Sequence, residues 1–190
     1  MSAFSSSNAT WYLMRASGVV ALVLLTAVLV LGIATNRRWR PGRAPRVATA
    51  GLHRSISLLA VAFLGVHVLT AVVDPYAVVG AAAVVVPLVA GKSAFAVGLG
   101  ALSLDLVAAL VASSLLRARV PATLWRGIHW LAYLAWPVAL AHSFAAGTDA
   151  TSPWLAAIGA LCLATVASSA LWRVRSERSA KHLEPRTVTT

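Results

Sequence analysis

The sequence predicts an all-α integral membrane bundle of five transmembrane helices, with the N-terminus outside and the C-terminus cytoplasmic. Of its 190 residues, 59% are hydrophobic and only 11% are charged, whereas soluble domains are typically about 25% charged. Five apolar stretches approach or exceed the roughly 20 residues that cross a bilayer. We therefore expect a multi-pass protein of the cell membrane, in contact with the lipid bilayer. Because the net charge of +11 lies in short runs between apolar stretches, we do not expect nucleic acid as a partner.

The five predicted spans cover about residues 16–34, 50–73, 97–116, 124–145 and 154–172. Residues 77–90 are also apolar, but the segment is short and contains Pro87. It is expected to be re-entrant or to lie on the membrane surface. On the fifth span Ala156, Ala160 and Ala164 recur every four positions, which predicts a stripe for close helix packing.

The distribution of basic residues predicts the orientation. With five spans and the N-terminus outside, 14 of the 16 basic residues fall on the cytoplasmic side, and only Arg15 and Lys92 remain outside. The reverse topology would invert this ratio, against the positive-inside rule. Residues 1–172 are thus expected to form a membrane domain, and residues 173–190 a basic cytoplasmic tail.

Four histidines are the candidate functional residues. His53 and His67 lie 14 positions apart on the second span, and His129 and His142 lie 13 apart on the fourth. Ionisable residues within spans are rare and usually functional, and imidazole is a common axial ligand of haem iron. The two spans run in the same direction, and the helix rise separates the histidines by about 21 Å and about 20 Å. The four side chains are therefore candidate iron ligands for two stacked haems.

The two spacings differ in helical phase. Fourteen residues are two heptads, which return His53 and His67 to nearly the same face. Thirteen residues do not do this for His129 and His142, so we expect a distortion near Trp136 and Pro137 to correct the phase. The alternative is that the four histidines are only polar side chains that are hydrogen-bonded inside a helix bundle.

Other cofactor motifs are missing from the sequence. The single cysteine, Cys162, permits neither covalent haem attachment through Cys-x-x-Cys-His nor a four-cysteine iron–sulfur cluster. It is expected to be a small buried apolar residue, and any haem must be held non-covalently, as haem b. Gly98 and Gly100 lie inside an apolar helix and do not form a dinucleotide-binding motif. We therefore expect no flavin or NAD(P)H domain within this chain.

Further residues combine with the histidines into a recognisable pattern. They are Arg15 and Gly18 at the start of the first span, Trp125 and Arg126 before His129, and Gly-Thr-Asp at 147–149. With them, residues 12–172 resemble the ferric reductase-like transmembrane domain family. That family includes the membrane parts of NADPH oxidases and ferric-chelate reductases, and the haem subunit of the bacterial methionine sulfoxide reductase system.

The resemblance implies two b-type haems, one between His53 and His129 on the cytoplasmic side and one between His67 and His142 on the outer side. Electrons would pass outward through them. Trp136 would then be an aromatic group between the haems, although ordinary packing explains it equally well.

Three arginines and one aspartate complete the candidate site. Arg54 and Arg126 flank the inner histidines, where guanidinium groups could bind haem propionates, although both also fit the positive-inside pattern. Arg15 could stabilise the outer haem or attract an anionic acceptor, or simply extend to the interface. Asp105 is the only acidic residue inside a predicted span. It is expected to face the bundle interior and find a partner there.

The sequence favours a membrane cytochrome b that moves electrons from a cytoplasmic flavoprotein or a quinol to an extracytoplasmic acceptor. The acceptor could be a ferric chelate, oxygen or a partner reductase, so the chain is either a terminal reductase or an electron relay. The alternative is a single-haem or haem-free membrane subunit that anchors a partner reductase or acts as a scaffold or transporter.

Overall fold

The computed structural model describes residues 6–36, 46–75, 77, 79–91, 93–146 and 151–182, and this part of the chain is helical, with no strand. Most of the first predicted cytoplasmic loop, Lys92, the 147–149 motif and residues 183–190 lie outside the described residues. The helices are α1 (Ser6–Asn36), α2 (Arg46–Val73), α3 (Ala81–Val85), α4 (Ala94–Leu115), α5 (Ala122–His129), α6 (Ala132–Ala146) and α7 (Pro153–His182).

Four of these helices, α1, α2, α4 and α7, are long and apolar enough to cross a membrane. Large apolar side chains cover their outer surfaces; Leu69 on α2 and Leu161 on α7 are 68% and 69% exposed. Such a surface is suited to lipid rather than to water. The chain is a multi-pass integral membrane protein. The fourth predicted span is divided between α5 and α6, and neither piece is long enough to cross alone.

The division between α5 and α6 lies at Trp130, before the proline expected to cause it. The N–H groups of Leu131, Tyr133 and Leu134 bind carbonyl oxygens three residues back, at 2.9, 3.1 and 3.0 Å, instead of four residues back. Pro137 sits inside α6. It has no N–H, and its ring crowds the carbonyl of Tyr133, four positions earlier. The distortion therefore falls in the turns that precede Pro137 and not at Trp136 and Pro137 themselves.

The segment between α2 and α4 is partly helical and packs on the bundle. Its short helix α3 contacts α4. Leu88 has a left-handed backbone (φ 70°), and its side chain occupies the place of a side chain at Gly98, where a Cβ would lie 2.9 Å from Leu88 Cδ2. Gly98 is thus the close-contact point that lets this segment rest on α4.

The bundle contains two helix pairs, α1 with α2 and α4 with α6, and α1 connects them through its contact with α6. Helix α1 packs along α2, α4 packs along α6, and α1 also contacts α6 and α7. A buried apolar cluster lies at this junction and contains Leu29, Ile33, Trp136 and Cys162. The expectation that Cys162 is a buried apolar residue is confirmed.

Helix α7 differs from its prediction in two ways. The Ala156, Ala160 and Ala164 stripe is exposed, so it does not pack against the other described helices. The inward face carries the buried residues Leu155, Gly159 and Cys162. At Gly159 the Phe144 side chain lies where a Cβ would be. Helix α7 also continues to His182, ten residues beyond the end of the predicted fifth span at Trp172.

Candidate functional site

The four histidines form two pairs across the bundle. The ring centroids of His53 and His129 are 6.5 Å apart, with 58° between the ring planes. The centroids of His67 and His142 are 6.3 Å apart, with 74° between the planes. All four side chains are half-buried. The structure therefore brings together the same two pairs that the sequence indicates.

The elements that carry the pairs explain why both form. Continuous helix α2 carries His53 and His67, which its two-heptad spacing places on one face. His129 ends α5 and His142 lies in α6, so the interruption between these helices falls between the two residues. The interruption lets two histidines with 13-residue spacing both lie opposite a histidine of α2.

The His67–His142 pair is oriented by backbone carbonyl groups. The Nδ1 of His67 hydrogen-bonds the carbonyl oxygen of Met14 at 2.8 Å, and the Nδ1 of His142 hydrogen-bonds that of Ala96 at 2.7 Å. A carbonyl oxygen can only accept, so both Nδ1 atoms carry the proton. Each Nε2 is then left with a free lone pair, which is the usual arrangement of a metal-binding histidine.

The His53–His129 pair has a different environment. The Nδ1 atoms of both rings are buried and have no hydrogen-bond partner among the described residues, and the same is true of Nε1 of Trp125. The Trp125 ring stacks on the His129 ring, with centroids 4.6 Å apart and 27° between the planes. The guanidinium of Arg117 lies 4.2 Å above the Trp125 ring. The His129 ring is therefore held by stacking on Trp125, whereas no stacking partner other than His129 is observed for His53 among the described residues.

The separation of the rings suits a group bound between them. Metal–imidazole bonds are about 2 Å long, and a ring nitrogen lies about 1 Å from its centroid, so rings on opposite sides of one metal have centroids about 6 Å apart. The observed 6.3 Å and 6.5 Å match this value. The free Nε2 atoms of His67 and His142 also fit metal ligation, and so do the unpartnered ring nitrogens of His53 and His129. The residues present therefore fit two bis-histidine iron centres.

Comparison with known families agrees with this geometry. The family model for the ferric reductase-like transmembrane component matches residues 17–141. The chain belongs to this family. The matched region includes three of the four histidines and ends one residue before His142. No significant match was found among curated proteins or solved structures.

Membership of the ferric reductase-like family indicates a membrane electron-transfer component. In the described part of the chain no group of three or more His, Cys, Asp or Glu side chains could hold a bare metal ion. A haem needs only two protein ligands because the porphyrin supplies the others. The paired arrangement therefore suits haem better than an isolated ion.

Trp136 lies in α6 between His129 and His142 in the chain and is 6% exposed. Its Nε1 donates a hydrogen bond to Oγ1 of Thr26 at 2.8 Å. Thr26 donates in turn to the carbonyl oxygen of Leu22 at 2.8 Å. The indole is therefore fixed in orientation and belongs to the buried cluster, whatever further role it has.

The charged residues predicted near the site are more peripheral. Arg54 and Arg126 are exposed, so they stay available for propionates or lipid headgroups. Arg15 is half-buried, with its guanidinium 4.1 Å over the ring of Trp11. It follows Met14, whose carbonyl binds His67, and so lies at the level of that pair. Asp105 is half-buried in α4 without a hydrogen bond to another described residue, so the partner expected for it is not observed.

Two glycines shape the site in a way that the sequence does not predict. Gly18 belongs to the motif at the start of the first span, and a Cβ there would lie 2.8 Å from Nδ1 of His67. Gly100 lies inside an apolar helix, and a Cβ there would lie 2.7 Å from Cε1 of His142. A signal was available: Gly18 and Gly32 are 14 positions apart on α1, the same spacing as His53 and His67 on α2.

Proposed function

We propose that the chain is a membrane cytochrome b that conducts electrons across the membrane through two b-type haems. The observation that supports this most strongly is the presence of two histidine pairs whose ring centroids are 6.3 Å and 6.5 Å apart. One haem would be held by His53 and His129, and the other by His67 and His142. When bound, haem supplies one-electron chemistry at its iron.

The chain's own residues hold and orient the cofactor. His53 with His129, and His67 with His142, would hold the two irons, and the haems would supply electron transfer. The carbonyl groups of Met14 and Ala96 fix the tautomers of His67 and His142 and make these rings better ligands. The buried apolar cluster at the junction of α1, α6 and α7 includes Trp136, which lies between His129 and His142 along the chain.

The proposed topology has five crossings, with α5 and α6 together forming one interrupted span. An interrupted helix is tolerated at membrane depth when its free backbone groups are buried in protein or rebonded locally. Here the three-residue hydrogen bonds after Trp130 rebond them. The N-terminus then lies outside, and the basic residues of 173–190 lie in the cytoplasm, in accord with the positive-inside rule.

Direction follows from this topology. The His53–His129 pair faces the cytoplasmic side and would receive electrons from a flavoprotein or a quinol. The His67–His142 pair faces the outside and would pass them to a ferric chelate, oxygen or a partner reductase. The exposed Arg54 and Arg126 on the cytoplasmic side suit haem propionates or an acidic donor protein.

Absorbance spectra of the purified protein, oxidised and then dithionite-reduced, test the proposal when haem is quantified per chain. We expect low-spin b-type bands at about two haems per chain. His67→Ala and His129→Ala should each lose one haem, whereas His182→Ala, outside both pairs, should lose none. One haem in the wild type would support a single-haem subunit, and none would support a scaffold or anchor; either result contradicts the two-haem conduit.

A second measurement separates a terminal reductase from a relay. The reduced protein is mixed with a ferric chelate or with oxygen, and reoxidation is followed at the haem bands. Rapid reoxidation by either acceptor indicates a terminal reductase. Slow reoxidation by both indicates that a partner enzyme is the acceptor.

A further inference from the structure

The two histidine pairs differ in the contacts that hold their rings, and two glycines contribute to this difference. Gly18 of α1 and Gly100 of α4 each face a histidine ring so closely that no side chain fits. A Cβ at Gly18 would lie 2.8 Å from Nδ1 of His67, and a Cβ at Gly100 would lie 2.7 Å from Cε1 of His142. Both values are well below van der Waals contact.

The carbonyl groups that bind these rings have a fixed relation to the glycines. Met14 lies four residues before Gly18, and Ala96 lies four residues before Gly100. In an α-helix a side chain covers the turn on its N-terminal side, where the carbonyl four residues back is found. A carbonyl oxygen has two lone pairs, and the helix uses one. Glycine therefore leaves the outer side of this oxygen open to an imidazole. At Met14 the Ser17 hydroxyl also donates to the same oxygen, at 3.1 Å, beside the His67 ring.

We call a glycine that leaves the carbonyl four residues before it open to a histidine ring a glycine seat. The His53–His129 pair lacks a complete one. A Cβ at Gly32 would lie 3.6 Å from Cε1 of His53, an ordinary contact. Val28, four residues before Gly32, lies beside His53, but its carbonyl does not satisfy Nδ1 with hydrogen-bond geometry. None of the described glycines faces His129, and its Nδ1 also has no partner among the described residues.

We propose that Gly18 and Gly100 are positioning residues that preset the His67–His142 pair, so that this pair retains haem more tightly than the His53–His129 pair. The inference rests on the proposed haem-binding function. Its physical basis is preorganisation: a ring already held in its ligating orientation loses less freedom on binding. Loss of a hydrogen bond that orients a metal-binding histidine typically lowers affinity about 10- to 100-fold.

Variants that retain one pair isolate the effect. His129→Ala leaves only the seated pair, and His142→Ala leaves only the other. Gly18→Ala or Gly100→Ala is added to each, with Gly65→Ala as control because nothing lies within 4 Å of a Cβ there. Haemin is titrated into each protein in detergent, and the low-spin absorbance gives its affinity.

In the His129→Ala background, both seat substitutions should weaken haemin binding about 10- to 100-fold, and Gly65→Ala should leave it within twofold. In the His142→Ala background neither seat substitution should change the affinity. Equal weakening in both backgrounds would show a general packing defect and would overturn the inference. An unchanged affinity in the His129→Ala background would overturn it as well.

Haem loss from the wild type gives an independent check. With excess apomyoglobin as acceptor, we expect two phases, and the fast phase should be missing from His129→Ala and retained by His142→Ala. Two haems lost at one rate would overturn the inference but leave the proposed function standing. A wild type that takes up no haemin would overturn the proposed function and this inference with it.

Discussion

The Nε1 of Trp136 donates a hydrogen bond to Oγ1 of Thr26 over 2.8 Å, and both side chains are buried. The bond joins α6 to α1. Along α1, Thr26 lies between Gly18, which faces His67, and Gly32, which faces His53. Because Thr26 also donates to the carbonyl of Leu22, its hydroxyl both accepts and donates. A buried polar pair satisfied in this way fixes one packing arrangement of α1 against α6.

Replacing Thr26 by valine should destabilise the protein, because the shape is kept while the Trp136 N–H loses its acceptor. A buried donor without a partner costs about 1–3 kcal/mol. Thr26→Ser keeps the hydroxyl and should retain most of the stability. The free energy of unfolding in detergent, followed by circular dichroism, measures the difference. Equal stability of the valine and serine variants would show that the bond contributes nothing.

A second prediction concerns Asp74, a carboxylate at the end of α2 that is only 3% exposed. Its Oδ2 accepts from Oγ1 of Thr10 at 3.1 Å, and its Oδ1 accepts from the N–H of Ala77 at 3.1 Å. Hydrogen bonds to a charged group contribute about 1.5–3 kcal/mol. Asp74→Ala should therefore destabilise the protein strongly, and Asp74→Asn should do so less because its amide oxygen still accepts.

Asp105→Ala is the matched control for Asp74, because Asp105 is half-buried and has no hydrogen bond to another described residue. Unfolding in detergent should show a much smaller loss for this variant. A loss as large as that of Asp74→Ala would mean that burial alone, and not the bonds to Thr10 and Ala77, determines the effect.

The sequence was sufficient for the features that depend on composition and period. Hydrophobic length gave the helical membrane bundle, and the 14-residue spacing of His53 and His67 placed them on one face. The seats of the rings were not predictable, because they depend on which turn of α1 or α4 lies opposite each histidine. Spacing within one helix contains no such information. Gly18 and Gly100 became significant only when α1 was placed against α2 and α4 against α6.

The exposed stripe on α7 shows the same limit. Ala156, Ala160 and Ala164 have the small-residue spacing of a packing face, but that period does not specify which of several faces meets the bundle. The face of α7 that meets the bundle is the one with larger apolar residues such as Leu155, which is buried. The division of the fourth span was displaced for a related reason, since a proline affects the turn before it rather than its own position.

A third prediction concerns the inward face of α7. A Cβ at Gly159 would lie 2.5 Å from Cζ of Phe144, so Gly159→Ala should displace the Phe144 ring and destabilise the protein by about 1–3 kcal/mol. The neighbouring Ala160 is exposed, and Ala160→Leu should change stability by less than about 0.5 kcal/mol. Unfolding in detergent compares the two. The reverse order would restore the alanine stripe as the packing face.

The stack on His129 supports the last prediction. With no hydrogen bond at Nδ1, this ring is oriented by Trp125, whose centroid is 4.6 Å away. Stacked aromatic pairs contribute about 0.5–1.5 kcal/mol, which corresponds to a change in affinity of about two- to tenfold. In the His142→Ala background, Trp125→Leu should weaken haemin binding by that factor, and Trp125→Phe, which keeps a flat ring over His129, should weaken it less.

Trp130→Leu is the control for the loss of a tryptophan, because Trp130 is 58% exposed and its ring lies against Tyr133 rather than a histidine. Its effect on haemin affinity should stay within twofold. In the His129→Ala background, which lacks the stacked ring, Trp125→Leu should have no effect. If it weakens binding there too, Trp125 acts on the bundle as a whole. If it has no effect in either background, the His129 ring is oriented by something other than the stack.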